Sequence, residues 1–337
     1  MSQEPRLTKK DFASDQEVRW CPGCGDYAIL SAAQSVFADL GLPRERFVVV
    51  SGIGCSSRFP YYANTYGFHT IHGRAPAVAT GIKISNPELS VWIVTGDGDA
   101  LSIGGNHIIH MLRRNLDVNV MLFDNRIYGL TKGQYSPTSE VGKKTKSTPF
   151  GSIDRPFNPL ALALGAGATF VARSIDVYAP HLKDTLKAAH AHAGTSFVQV
   201  YQNCNIFNNG AYAPLRDKAT RPDHVLELKQ GEPLLFGRNR DRGIRASGCH
   251  RPEVVQLGGE ITEQDLVVHD EQGPLGYLTM LAEMQPPDFP VPIGVVRRVE
   301  RARFELEVER QIEQVTEQLG AGDLKELIYS GNTWEVK

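Results

Sequence analysis

A doubly wound α/β fold on a mostly parallel sheet is what this sequence predicts, and three observations carry it. Short apolar runs at Phe47–Val50, Val91–Val94, Val118–Phe123 and Ser196–Tyr201 alternate with helical patterns between residues 25 and 204. Strands separated by helices are how a parallel sheet with crossover connections is encoded. The residues able to do chemistry, Cys55, Asp97, Asn125 and Cys204, each fall just past a strand. Open α/β sheets bind ligands at that carboxyl edge. Finally, the alternation stops near Ala213, and the remainder reads as a C-terminal appendage.

The elements follow in order. Residues 1–20 are polar and mixed in charge, an N-terminal arm. Trp20-Cys-Pro-Gly-Cys-Gly25 is a tight loop, and Ala28–Leu40 an amphipathic helix stopped by Gly41 and Pro43. The strand Phe47–Val50 runs into the loop Ser51-Gly-Ile-Gly-Cys-Ser-Ser57. An aromatic segment, Phe59–Tyr62 and Tyr66–His69, precedes a small-residue helix Ala75–Ser85 that Asn86-Pro87 closes. Strand Val91–Val94, helix Gly105–Asn115 and strand Val118–Phe123 form the central unit. Arg126–Asp154 has neither periodicity, and so long a loop inside a domain signals function or disorder. Helix Asn158–Leu164, strand Ala168–Ala172, helix Val177–His192 and strand Ser196–Tyr201 complete a domain over 21–213. The extension over 214–337 is weakly patterned, with a polar helix at Phe304–Leu319.

Composition narrows the function. The chain of 337 residues is 41% apolar and 22% charged, as for an ordinary globular protein. A net charge of −2 argues against nucleic acid as the main partner. No apolar run approaches the roughly 20 residues of a membrane span. The first ten residues lack a signal core, so a cytoplasmic location is expected. Five cysteines in such a chain are not a disulfide framework. Cys21-Pro-Gly-Cys24 has the spacing of a metal, cluster or redox site and does not say which.

Asp97 and Asn125 are hard oxygen donors at neighbouring strand ends, suited to a Mg²⁺ ion shared with phosphate oxygens. Gly96 and Gly98 permit close backbone approach to a diphosphate. Gly96-Asp-Gly98, with 26 residues between Gly98 and Asn125, resembles the thiamine diphosphate motif. That likeness implies Mg²⁺ ligation by Asp97, Asn125 and the Ile127 carbonyl, with Gly98, Asp99, Gly129 and Leu130 along the diphosphate. Cys55 and Cys204 would share this sheet edge, so four thiolates could converge there. Thiolates favour zinc or an iron–sulfur cluster; alternatively, Cys55 and Cys204 are small buried hydrophobes. His69/His72 and His107/His110 have i, i+3 spacing but no carboxylate partner, so a zinc role for either pair is disfavoured. The run Gly142–Ser147 is basic but lacks a Walker motif and reads as a solvated loop.

Taken together, Cys21-Pro-Gly-Cys24, Gly52-Ile-Gly-Cys-Ser-Ser57, Ile71-His-Gly-Arg74, Gly96-Asp-Gly-Asp99 with Asn125, and Cys204 resemble the β subunit of 2-oxoacid:ferredoxin oxidoreductases, over roughly residues 15–215. The resemblance implies thiamine diphosphate, Mg²⁺ and a [4Fe–4S] cluster on Cys21, Cys24, Cys55 and Cys204. It implies that Ile53, Gly54, Cys55 and Ser56 touch cofactor and cluster, with His72 and Gly73 nearby. Cys249 has no place in the pattern and is expected as a free thiol. The run from Gly54 to Arg74 is similar to the 2-oxoglutarate type, and Arg58 and Lys132 are candidate partners for its second carboxylate. Coenzyme A would be co-substrate and ferredoxin the electron acceptor, with the reaction reversible toward carboxylation. The glutamate that activates thiamine diphosphate comes from a pyrimidine-binding half absent here, which implies an α subunit and an (αβ)₂ assembly. Two other readings are a non-redox thiamine decarboxylase or carboligase subunit and a zinc-stapled structural subunit.

Overall fold

The computed structural model describes residues 7–248 and 251–336, so Cys249 lies outside the described residues. Eleven strands are present among them: β1 Phe47–Ser51, β2 Tyr66–His69, β3 Ser90–Gly96, β4 Val118–Asp124, β5 Phe170–Ile175, β6 Ser196–Tyr201, β7 Val225–Glu227, β8 Leu235–Phe236, β9 Arg242–Ser247, β10 Arg251–Gln256 and β11 Val291–Arg298. Eight form one sheet in the order β2-β1-β3-β4-β6-β5-β11-β7, and β10-β9-β8 form a small second sheet. From β2 to β5 every pairing is parallel. β11 then runs antiparallel to β5 and parallel to β7.

Strands β1, β4, β5 and β6 are buried along their whole length, and β3 up to its last residue. Alternate side chains of a strand point to opposite faces, so continuous apolar runs require cover on both. Val48, Val50, Ile93, Val120 and Leu122 pack on one side with Ala75, Ala79, Ile108 and Leu112 of helices Ala75–Ser85 and Gly105–Arg114. Val49, Trp92, Val94, Met121 and Phe123 pack on the other with Ile29, Phe37, Leu182 and Leu186 of helices Asp26–Asp39 and Ala179–Ala191. Each such buried side chain contributes about 1.5–3 kcal/mol, so these two layers hold the sheet edge in place.

The doubly wound reading stands, and two features extend it. β2, read from sequence only as an aromatic segment, is an edge strand with all four residues exposed. The C-terminal region does not sit apart from the core. β7 and β11 complete the main sheet, while helix Phe304–Leu319 lies largely exposed. Asn115 ties this region down. It caps helix Gly105–Arg114 in the left-handed conformation, at φ 60°. Its side chain donates to the carbonyls of Arg301 (3.0 Å) and Ala302 (3.2 Å) and accepts from Thr169 Oγ1 (2.6 Å) and Thr195 N (3.1 Å). No helix among the described residues is long and apolar enough to cross a membrane.

Candidate active site

β1, β3, β4 and β6 end side by side, so the segments that follow them meet on one edge. Behind β3 the chain turns at once into the short helix Asp97–Leu101. Asp97 is buried, and its Oδ2 accepts from Ser136 Oγ at 2.5 Å and from Thr138 Oγ1. Thr138 also donates to Asp124 Oδ1 at 3.0 Å. Asp124 Oδ2 accepts from Gln199 Nε2 (2.6 Å), and Gln199 Oε1 from Arg173 Nε (2.8 Å). Burial, and then the charge of Asp124, push the Asp97 carboxyl above its usual range. Paired buried carboxylates held by hydroxyl and amide donors gain from a hard divalent cation, so this donor set fits Mg²⁺.

Asn125 follows β4 and turns its Oδ1 back to accept from the Ile127 N–H at 3.1 Å. Arg126 adopts φ 57° and lies over the Tyr212 ring. Tyr128 then reaches across to donate from its hydroxyl to Gly98 O at 3.0 Å. A Cβ on Gly98 would come within 2.1 Å of that ring, so only glycine fits. Cys55, His72, Asp97, Gly98, Asn125 and Gly129 are among the residues lining a cavity of about 60 Å³. Ile53, Gly54 and Leu130 line both this cavity and an adjoining one of about 480 Å³, which Arg19, Arg58 and His69 also line.

Asp99 also lines the smaller cavity and braces the segments around it. Its Oδ1 accepts from the backbone N–H of Gly73 (2.8 Å) and of Ile53 (3.2 Å), and its Oδ2 from Thr95 Oγ1 (2.8 Å). One buried carboxylate thus fixes the loop bearing Cys55 and the corner bearing His72. The exposed His72 ring lies 3.9 Å from Asp99 through Nδ1. Arg58 faces the wider cavity, whereas Lys132, at φ 73°, lines neither. His69 bonds Ser51 Oγ through Nδ1 at 3.0 Å. Lys143 of the basic run is not simply solvated: it pairs with Glu140 and bonds Asn208, whose amide donates to Asn125 O at 2.9 Å.

Cys21 and Cys24 lie in the loop before helix Asp26–Asp39, Cys55 after β1 and Cys204 after β6. The turn closes through Cys24 N to Cys21 O (3.0 Å), with Gly23 at φ 82°. Gly129 faces the space between Cys55 and Cys204. A Cβ there would lie 3.5 Å from Cys204 Sγ and 3.6 Å from Cys55 Sγ. Burial, then Asp26, Cys204 and Cys21, push the Cys55 thiol up to about 12. Burial and Asp26 also raise Cys24, and Cys55 and Cys204 add to that. The four thiols therefore share one electrostatic neighbourhood. Metal binding displaces such protons. Among the described residues no three His, Cys, Asp or Glu side chains are close enough to hold one metal ion. Trp20 covers this corner and donates from Nε1 to Cys55 O at 2.7 Å.

Sequence reasoning missed Ser136, Thr138, Tyr128, Trp20 and Gln202 as site residues. Only their place in segments flanking the motifs hinted at them.

Residues 52–200 match the family described as "Thiamine pyrophosphate enzyme, C-terminal TPP binding domain". Over 332 residues the chain is 50% identical to 2-oxoglutarate oxidoreductase subunit KorB of Mycobacterium tuberculosis, covering 97% of this chain and 88% of that protein. The chain belongs to the β subunits of the 2-oxoacid:ferredoxin oxidoreductases. Another such β subunit, 2-oxoacid:ferredoxin oxidoreductase 1 subunit beta of Aeropyrum pernix, is 52% identical over 190 residues, 56% of this chain and 60% of that protein. Among solved structures, the 2-oxoglutarate:ferredoxin oxidoreductase of Magnetococcus marinus, with 2-oxoglutarate, coenzyme A and succinyl-CoA bound, matches with a TM-score of 0.75 and 32% identity over 98% of both chains. The β-subunit family expected from the motifs is therefore the family found, and the domain behind Asp97 and Asn125 is a thiamine diphosphate-binding one. Membership displaces both the non-redox and the zinc-stapled readings.

Proposed function

We propose that this β subunit holds the diphosphate half of a thiamine diphosphate site together with a [4Fe–4S] cluster, in a cytoplasmic 2-oxoglutarate:ferredoxin oxidoreductase. The balanced reaction takes 2-oxoglutarate, coenzyme A and two oxidised ferredoxins to succinyl-CoA, CO₂, two reduced ferredoxins and a proton. Thiamine diphosphate supplies the electron sink for loss of the carboxylate, and the cluster passes electrons singly.

The geometry above supports the following roles for this chain's residues. Asp97, Asn125 and the Ile127 carbonyl would hold Mg²⁺, and Gly98, Asp99, Gly129 and Leu130 would line the diphosphate. Asp99 holds the two flanking segments: Ile53–Ser56, between cofactor and cluster, and His72–Gly73. Cys21, Cys24, Cys55 and Cys204 ligate the cluster. Arg58 binds the distal carboxylate of 2-oxoglutarate from the adjoining cavity, and Lys132 is the second cation, on the turn after Leu130. No glutamate lines the cofactor cavity among the described residues, which supports a proton-transferring glutamate on an α subunit and an (αβ)₂ enzyme.

The observation that carries this reading is Gly129, whose missing side chain leaves open the space between two cysteine sulfurs while its backbone lines the Asp97–Asn125 cavity. The test is anaerobic co-purification with the α subunit, followed by iron, sulfide and thiamine diphosphate analysis. Ferredoxin reduction is then compared with 2-oxoglutarate and with pyruvate. Four irons per β chain and a preference for 2-oxoglutarate are expected. A preparation without iron, a preference for pyruvate, or full turnover by this chain alone would each overturn part of it.

A further inference from the structure

Gln202 follows β6, and its backbone N–H donates to Asp124 O at 2.9 Å. Its side chain points back toward the cysteines and is 1% exposed. Nε2 donates to Asn203 O at 2.7 Å and to Cys24 Sγ at 3.2 Å. The carbonyl of Asn203 can only accept, so it dictates which end of the amide faces it. Both amide hydrogens are then used, one on the carbonyl and one on the sulfur. Oε1 is left buried without a partner.

An unpartnered buried acceptor is destabilising, and a leucine here would fill similar volume without it. The amide is therefore unfavourable for packing alone, and what distinguishes it is the N–H aimed at the Cys24 sulfur. Among the described residues this is the only side-chain N–H donated to a cysteine sulfur; the Asp26 backbone also hydrogen-bonds Cys24. Trp20, on the same corner, donates to the Cys55 carbonyl and not to its sulfur.

A donor to a ligand sulfur stabilises the more negative, reduced cluster, and hydrogen bonds to sulfur are among the means by which proteins set cluster potentials. We propose that Gln202 is a redox-tuning residue, whose N–H···Sγ bond to Cys24 raises the reduction potential of the cluster. The proposal rests on the reading that Cys21, Cys24, Cys55 and Cys204 hold that cluster.

The test is an anaerobic redox titration of the assembled α–β enzyme, following the EPR signal of this chain's cluster in wild type, Gln202→Leu and Gln202→Glu. Gln202→Leu is expected to disfavour reduction about tenfold, a lowering of about 59 mV for one electron, with four irons per chain retained. Gln202→Glu keeps the shape, offers no N–H when ionised and adds charge, so it is expected to lower the potential at least as far. Reduction equilibria within about twofold of wild type in both variants, a shift of about 18 mV or less for one electron, at full iron content, overturn the proposal. Loss of the cluster from both variants in a chain with wild-type circular dichroism also overturns it, in favour of a purely structural role. Failure of the underlying reading looks different: wild type itself then carries no iron or sulfide.

Discussion

Replacing Asp99 separates two consequences of one buried carboxylate. In Asp99→Ala the N–H groups of Gly73 and Ile53 lose their acceptor, while the Thr95 hydroxyl can turn to Gly96 O, already 3.4 Å away. One orphaned buried donor at Gly73 and one half-buried donor at Ile53 give a destabilisation of about 3 kcal/mol, a large share of the 5–15 kcal/mol typical of a domain. Asp99→Asn behaves differently. Its carbonyl oxygen still serves both N–H groups, and its amide donates to a Thr95 hydroxyl that rotates to accept. Only the charge assistance is lost, about 1–2 kcal/mol. Thermal and urea unfolding of the α–β complex at fixed concentration measures both. Because the Ile53 N–H anchors the Cys55 loop, Asp99→Ala is also expected to lose iron while Asp99→Asn keeps most of it. Equal stability of the two variants, or wild-type stability of Asp99→Ala, would refute the hub role.

Three further outcomes are expected. Arg58→Gln raises KM for 2-oxoglutarate about tenfold, the equivalent of one lost charge-assisted bond, and leaves pyruvate turnover unchanged, whereas Lys132→Gln, outside both cavities, changes it less; steady-state ferredoxin reduction decides. Gly129→Val places methyl groups in the space between Cys55 and Cys204 and is expected to abolish iron binding with the fold intact, read by iron analysis beside circular dichroism. His269 is buried between the Tyr277 hydroxyl (2.9 Å) and the Val295 carbonyl (2.8 Å), and burial lowers its pKa. The unfolded chain therefore takes up the proton first, so this contribution is complete above about pH 6.5 and declines as pH falls below it. Tm measured from pH 5 to 8 is expected to show that slope, and His269→Asn to reduce it.

The interior strands were legible because burial on both faces leaves no polar position to disguise them, as in Val118-Asn-Val-Met-Leu-Phe123. β2 was not, since Tyr66-Gly-Phe-His69 is exposed at the edge and carries no alternation. β11 was obscured by Pro292 and Gly294, and by a register shift between Val295 and Arg297 where it meets β5. At the site, Asp97, Asn125, Cys55 and Cys204 announced themselves by standing just past strands. Ser136 and Thr138 could not, because the loop that carries them has no period. They reach Asp97 only through a return of the chain across 39 and 41 residues.

Strand order explains why the Asp97–Asn125 cavity and the cysteines proposed to hold a cluster are neighbours. In β1-β3-β4-β6 the inner two strands end in Asp97 and Asn125, and the outer two lead to Cys55 and Cys204. With neighbours about 4.8 Å apart, β1 and β6 are separated by about 14 Å at the sheet, too far for their cysteines to share a cluster there. The loops must arch inward over the two central strand ends, and the turn after Asn125 lies directly beneath that arch. Gly129 is where the two meet: it lines the cavity behind Asp97, and a Cβ there would lie in van der Waals contact with both sulfurs. The closeness of the Asp97–Asn125 cavity to Cys55 and Cys204 is thus a consequence of which strands are adjacent. Moving either cysteine to a loop after β2 or β5 would widen that separation even if four thiolates still met.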